Sequence, residues 1–263
     1  MIRLNKIKVL GKFLFLSLLK LKATQLFAVL SVAILVLSWS VSDINIASKY
    51  KLFEDILLTS QMFMLHTAAL FYTFEYLQKE RFGGIMIVPF STGIHRSEYI
   101  FSIMAALATL LFFLGTIFLL IDTMFLWVIE VDVNYMVLWQ LFLYLISAIL
   151  LSAFILLFSQ FVSTMNAVIY ALTIFIIGNA LDEVYYYSLY MQDQDSVKNM
   201  ALFLFYAFPN FSIFDLQAIV VNRVEFDLFE VFARPIIHSS ILYVMVSSLM
   251  LWKFNTRVLR VGE

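Results

Sequence analysis

His66 is the one histidine well inside an apolar stretch, and it stands five residues after Gln61 in the run from Asp55 to Tyr76. An ionisable group at that depth is by default a candidate for proton exchange or substrate contact. A neutral imidazole hydrogen-bonded to a neighbouring helix is the alternative, and it serves packing alone. Asp182 and Glu183 precede Tyr185-Tyr186-Tyr187. Adjacent carboxylates can receive a cationic substrate or a metal, whereas tyrosines at a membrane boundary form an aromatic belt without any ligand. Hydrolytic chemistry lacks its parts: His66 has no second histidine or acid at comparable depth, and H-E-x-x-H is absent. With no cysteine there is neither a thiolate nucleophile nor a thiolate metal site. No catalytic residue and no metal site is expected. A nucleotide site is missing too, because Gly11-Lys12-Phe13 lacks both the preceding glycine and the following hydroxyl residue of a P-loop.

The elements that must hold these residues are set by composition. The chain is 63% hydrophobic and 13% charged, with mean hydropathy +0.96, which departs from soluble domains in both directions. It reads as an all-α polytopic membrane protein, a single domain over residues 1–263 with about six spans of roughly 20 residues. The near-zero net charge gives no reason to expect nucleic acid.

In chain order, residues 1–22 carry Arg3, Lys6, Lys8, Lys12, Lys20 and Lys22 without a single charged stripe. They form either an interfacial helix on anionic lipid or a basic flank of the first span. Spans are expected at 24–41, 55–76, 99–121, 136–162, 167–181 and 235–252, with an acidic loop from Asp122 to Val133. The 49 residues from Val133 to Leu181 carry no charge. One helix of that length would measure about 74 Å, more than twice the hydrocarbon thickness, so the run must fold back near Ser163-Thr164-Met165-Asn166. Residues 182–234 form a region of short elements. Nine apolar residues before Pro209 suit a re-entrant or interfacial helix, and an amphipathic helix is expected where Val220, Val221, Val224, Leu228 and Val231 oppose Arg223, Asp227 and Glu230.

Topology follows from the basic residues. With both termini cytoplasmic, the inner segments hold twelve Lys and Arg and the outer ones five, the asymmetry that the positive-inside rule requires. This places residues 77–98 inside the cell as the connector between spans two and three. Gly83, Gly84 and Pro89 break it, leaving room for a short helix near Ile85 to Val88. Ser97 with Glu98 behind it reads as the cap of the third span.

The spacing Glu80, Gly84, Ser91-Thr92, Arg96, Glu98-Tyr99 resembles the cytoplasmic segment of type-2 ATP-binding-cassette permeases. It departs from that pattern at Ile85, Gly93 and Ile103. A second stretch, Phe208-Pro209-Asn210-Phe211-Ser212-Ile213-Phe214-Asp215, resembles the segment after the fifth span in many members. The resemblance implies a membrane subunit of an ATP-driven exporter in a plasma membrane, most simply a bacterial inner membrane. It further implies two copies of a cytosolic ATPase carrying ATP and Mg, with no cofactor on this chain, and a second permease, identical or related. By the same resemblance a short coupling helix docks on the ATPase through Glu80, Arg81, Gly84, Ser91, Thr92, Arg96 and Glu98, while Pro209, Asn210, Phe211 and Asp215 form an outer re-entrant turn. His66, Gln61, Asp182 and Glu183 are the candidates for a transport path. The rival classes are an ion-gradient-driven secondary transporter and a membrane scaffold that moves nothing. Against the former, Pro89, Pro209 and Pro235 all lie at or outside span ends.

Overall fold

The computed structural model describes residues 4–43, 49–83, 94–128, 135–190, 195–222 and 229–256, and all regular structure among them is helical. The helices are α1 (Leu4–Leu19), α2 (Lys22–Ser42), α3 (Lys49–Gly83), α4 (Arg96–Val128), α5 (Tyr135–Ser159), α6 (Thr164–Tyr190), α7 (Asp195–Ala207), α8 (Gln217–Asn222) and α9 (Arg234–Thr256). A 3-10 turn, Ser212–Phe214, precedes α8, and a π-helical turn, Phe229–Ala233, leads into α9. Six stretches are long and apolar enough to cross a membrane: Lys22–Ser42, Lys49–Glu80, Ser97–Phe125, Met136–Ser159, Thr164–Ser188 and Val231–Lys253. The described residues form the all-helical architecture expected from composition, with six helices long and apolar enough to span, as a multi-pass membrane protein requires.

The bundle is built around α5. This helix has no charged residue and is apolar on every side, so it gains most by being enclosed. It packs against α3, α4, α6 and α9. Of its most apolar stretch 78% is buried, against 22% for α2 and 28% for α6. Leu143, Ala148, Leu151 and Ile155 have no exposed surface. The outward faces of α2, α6 and α9 carry the exposed apolar side chains, among them Val29, Ile176 and Val244, as a bundle solvated by lipid requires.

Several boundaries differ from the sequence expectation, each for a local reason. The stretch before α2 is a separate helix. Leu21 takes an extended conformation (φ −66°, ψ 138°) between α1 and α2, and α1 lies along α4 with Leu14 and Leu18 in the core. A Cβ on Gly11 would sit 3.4 Å from the Ser102 carbonyl, which shows how near the two backbones come. Helix α4 does not stop at Ile121: it continues through Asp122 to Val128, because Asp122 is buried against Gln61 and not solvated in a loop. Likewise α6 runs past Leu181, carrying Asp182 and Glu183 on its last turns. The fold-back between α5 and α6 is as tight as expected. Ser163 closes it as an N-cap, its hydroxyl accepting the Asn166 N–H at 3.4 Å and its carbonyl the Ala167 N–H at 2.9 Å. The helix expected before Pro209 is α7, 13 residues and thus about 20 Å long, too short to cross. Of the expected amphipathic helix, Val220 and Val221 are buried on α8 and Val231 in the π turn; Arg223, Val224, Asp227 and Leu228 lie outside the described residues.

Candidate functional site

Three polar constellations interrupt the apolar bundle. One joins the end of α3 to the start of α4, on either side of the connector; we call this the connector end. The Tyr99 hydroxyl donates to Glu80 Oε1 at 2.8 Å and lies 2.7 Å from the Tyr76 hydroxyl. Tyr76 and Tyr99 are buried and Glu80 is partly so. Next to them Glu98 is fully buried, and its Oε2 accepts the His95 backbone N–H at 3.0 Å. His95 is therefore the capping position of α4 and Glu98 its third residue, reaching back as in a capping box. The cap expected at Ser97 thus falls two residues earlier. Ser102 donates to the Glu98 carbonyl at 2.6 Å, and lies 3.3 Å from the Ile7 carbonyl of α1.

These contacts separate the residues expected to meet a partner. Glu98 caps α4 and Glu80 accepts from Tyr99, so both are engaged within the fold. The backbones of Arg81 and Arg96 belong to α3 and α4. Gly84, Ser91 and Thr92, with the short helix expected near Ile85 to Val88, lie outside the described residues.

At the opposite end of α3, the loop end, residues 209–217 form a non-repetitive segment fixed by side chains from three helices. Gln140 on α5 clamps its backbone from both sides: Nε2 donates to the Phe214 carbonyl and Oε1 accepts the Leu216 N–H, each at 2.8 Å. Asn210 donates to Asp182 Oδ1 at 2.9 Å and accepts the Ser212 N–H at 2.9 Å. Gln217 Nε2 reaches Asp55 Oδ1 at 2.7 Å and Thr59 Oγ1 at 2.8 Å on α3. The Tyr144 hydroxyl stands 3.1 Å from Asp215 Oδ1 and 3.0 Å from Gln217 Oε1, so its one proton serves either acceptor. Phe211 fills the notch between α5 and α6, its ring 5.2 Å from Phe175 and 6.1 Å from Phe154 between centroids. Gly178 makes that notch. Its carbonyl accepts the Phe211 N–H at 3.1 Å, and a Cβ there would lie 2.5 Å from the Pro209 carbonyl oxygen. Lys51, Asp55, Asp215, Gln217 and Asn222 border an open cleft of about 670 Å³ beside this segment.

The third constellation is inside the spans. His66 Nδ1 lies 2.7 Å from the Met62 carbonyl, which can only accept, so Nδ1 carries the proton and Nε2, 2.9 Å from Ser147 Oγ, accepts. Both ring nitrogens are used, and the ring packs on Phe175 at 4.4 Å. Gln61 is a different case: fully buried, it points Nε2 at both carboxylate oxygens of Asp122, at 3.2 and 3.3 Å, while its own Oε1 has no partner. Among the described residues no cluster of His, Cys, Asp or Glu is arranged to hold a metal.

Sequence reading singled out Asn210, Phe211, Asp215 and Asp182, which the fold brings together, and His66 and Gln61, which stay apart from them. Glu183 is exposed on α6 beside this cluster. The sequence pattern alone did not single out Gln140, Tyr144 or Gln217, and it placed Asp122 in a loop. A usable signal existed for Gln140, a lone amide among apolar residues, since a polar side chain at span depth needs a partner. No family model matches the chain, and no curated protein or solved structure matches it.

Proposed function

We propose that the chain is the membrane subunit of an ATP-driven transporter, most simply an exporter, worked by a separate cytosolic ATPase that binds the connector. The observation that supports this most is the construction of the α3 and α4 ends. Their 35 and 33 residues make rods of about 50 Å, well beyond a hydrocarbon layer of about 30 Å. The excess of both rods is joined by Tyr76, Tyr99 and Glu80 and capped by Glu98. A force applied between Gly83 and Arg96 then moves two spans together instead of bending a loop. The concentration of basic residues toward that end supports a cytoplasmic placement by the positive-inside rule, on the side where ATP is available.

In this reading Arg81 and Arg96 supply the charges that set register on the ATPase, and Glu80 and Glu98 keep the elbow stiff. The segment 209–217 forms the outer turn and holds α5 and α6 fixed relative to α3. ATP and Mg belong to the partner, present in two copies, and a second permease completes the path. The membrane is a plasma membrane, in a bacterium the inner one.

The test is purification of the tagged full chain from its native membrane in mild detergent, followed by assay of ATP hydrolysis in the eluate. Hydrolysis that co-elutes with the wild type, and falls at least tenfold with Arg81→Glu and Arg96→Glu combined while circular dichroism stays helical, is the expected result. An eluate without hydrolysis, or one indifferent to the reversals, overturns the reading.

A further inference from the structure

Asp122 and Gln61 have no part in the coupling just described, and their arrangement is incomplete as it stands. Both residues are at least 98% buried: Gln61 has no exposed surface and Asp122 has 2%. The Gln61 Nε2 group is the one hydrogen-bond donor to Asp122 among the described residues, and no cation pairs with it. Beside that carboxyl stands a second oxygen, Gln61 Oε1, equally buried and without a donor. A carboxyl and an amide oxygen, buried together with one amide group as donor, leave Gln61 Oε1 without a hydrogen. An ionised carboxylate there would carry the full cost of an unpaired buried charge.

We propose that Asp122 and Gln61 form a proton-binding site within the spans, in which Asp122 is a neutral carboxylic acid facing the Gln61 carboxamide. A carboxylic acid and a primary amide are mutually complementary, since each offers one donor and one acceptor. Rotation of the Gln61 amide about its last torsion exchanges the bifurcated contact seen here for a closed pair, O–H to Oε1 and Nε2–H to the acid carbonyl. The proton supplies the missing hydrogen and removes the charge. A metal cation fits poorly, because among the described residues no group of three His, Cys, Asp or Glu is placed to hold one and the next turn of α3 brings Leu57, packed with Leu35, Phe53, Ile121 and Phe125.

Among the described residues no positive charge is paired with Asp122. Helix α4 packs on α1, α2, α3, α5 and α9. Helix α5 has no Asp, Glu, Lys or Arg, and its Tyr144 is engaged with Asp215 and Gln217. Lys6, Lys8 and Lys12 of α1 and Lys22 at the start of α2 belong to the connector end, where Ser102 meets Ile7. At the loop end, Lys49 is committed to Asp43 and to the face of Trp39. Also on α3 are Lys51, Glu54 and Asp55 near its start, His66 in neutral contact with Ser147, and Glu75, Lys79, Glu80 and Arg81 at its far end; α9 brings Arg234, His238, Tyr243 and Lys253. None forms an ion pair with Asp122.

The site binds α3 to α4 whether or not an ATPase drives the chain, so its test is separate from the one above. Full-length protein is labelled with carboxyl-13C aspartate, placed in lipid vesicles and examined by infrared spectroscopy at neutral pH, with and without sodium. The expected wild-type spectrum contains one protonated-acid carbonyl band that is indifferent to sodium, moves in heavy water, and is lost at high pH. Asp122→Asn and Asp122→Glu each delete that labelled band, and either one that folds suffices for the assignment. Gln61→Leu shifts it to higher frequency by removing its hydrogen bond. Absence of an acid band from folded wild type, survival of the band in both Asp122 variants, or a sodium-dependent change at Asp122 would overturn the proposal.

Discussion

The two ends of the bundle are held by different kinds of polar contact. At the connector end, Tyr76, Tyr99 and Glu80 bond side chain to side chain between two regular helices, and Glu98 caps the first turn of α4. At the loop end, side chains serve a backbone that has no regular partner, and Gln140 alone supplies both a donor and an acceptor to residues 214–216. The difference matters because Glu80, only partly buried, can turn to water when its partner is lost, whereas a backbone group orphaned inside a bundle cannot. The connector end is braced through side chains of which one, Glu80, still reaches solvent, and the loop end through buried side chains bonded to backbone.

The sharpest way to break the comparison is at Gly178. Replacing it with leucine puts a side chain where the Pro209 carbonyl oxygen already leaves 2.5 Å and the Phe211 ring 2.7 Å. The loss should be about 3 kcal/mol or more, read as a lowered thermal midpoint in detergent, with Gly115→Ala as control, since a Cβ there meets Leu145 at an ordinary 3.5 Å. If Gly178→Leu is as stable as that control, the loop end is not held by that close packing.

A smaller loss follows from Gln140→Leu, which keeps the volume but strands the Phe214 carbonyl and the Leu216 N–H. The expected cost is about 2 kcal/mol by the same assay. Gln140→Glu, which retains the acceptor, should recover part of it. Smallest is Tyr99→Phe at the connector end. Removing the donor to Glu80 should cost about 1 kcal/mol or less, because Glu80 is only partly buried. Its signature is faster amide exchange at the ends of α3 and α4 with the 209–217 segment unchanged. An equal effect at both ends would erase the distinction drawn here.

How far the sequence could be read differs between elements for physical reasons. The uncharged run from Val133 to Leu181 announced two spans and the turn between them, since nothing but lipid or a protein interior suits 49 such residues. Asp122 misled, because a carboxylate ordinarily marks a span's end, and only contact with Gln61 from a helix 61 residues away lets it stay inside. Glu98 shows the limit from the other side: its place in a polar connector gives no sign that its carboxylate bonds the His95 N–H, a contact that follows from the start of α4. Gln140 and Gly178 gave only the weak signals of a lone amide and a lone glycine in apolar helices.

Composition and charge placement by themselves determined that this chain is a helical bundle crossing a membrane about six times, since apolar runs of that length leave the backbone no other way to satisfy its hydrogen bonds. Which polar side chains meet was decided by tertiary structure alone. Partners such as Gln140 and Leu216, or Gln61 and Asp122, lie more than 60 residues apart, and no local pattern encodes a contact that exists only once the helices have packed.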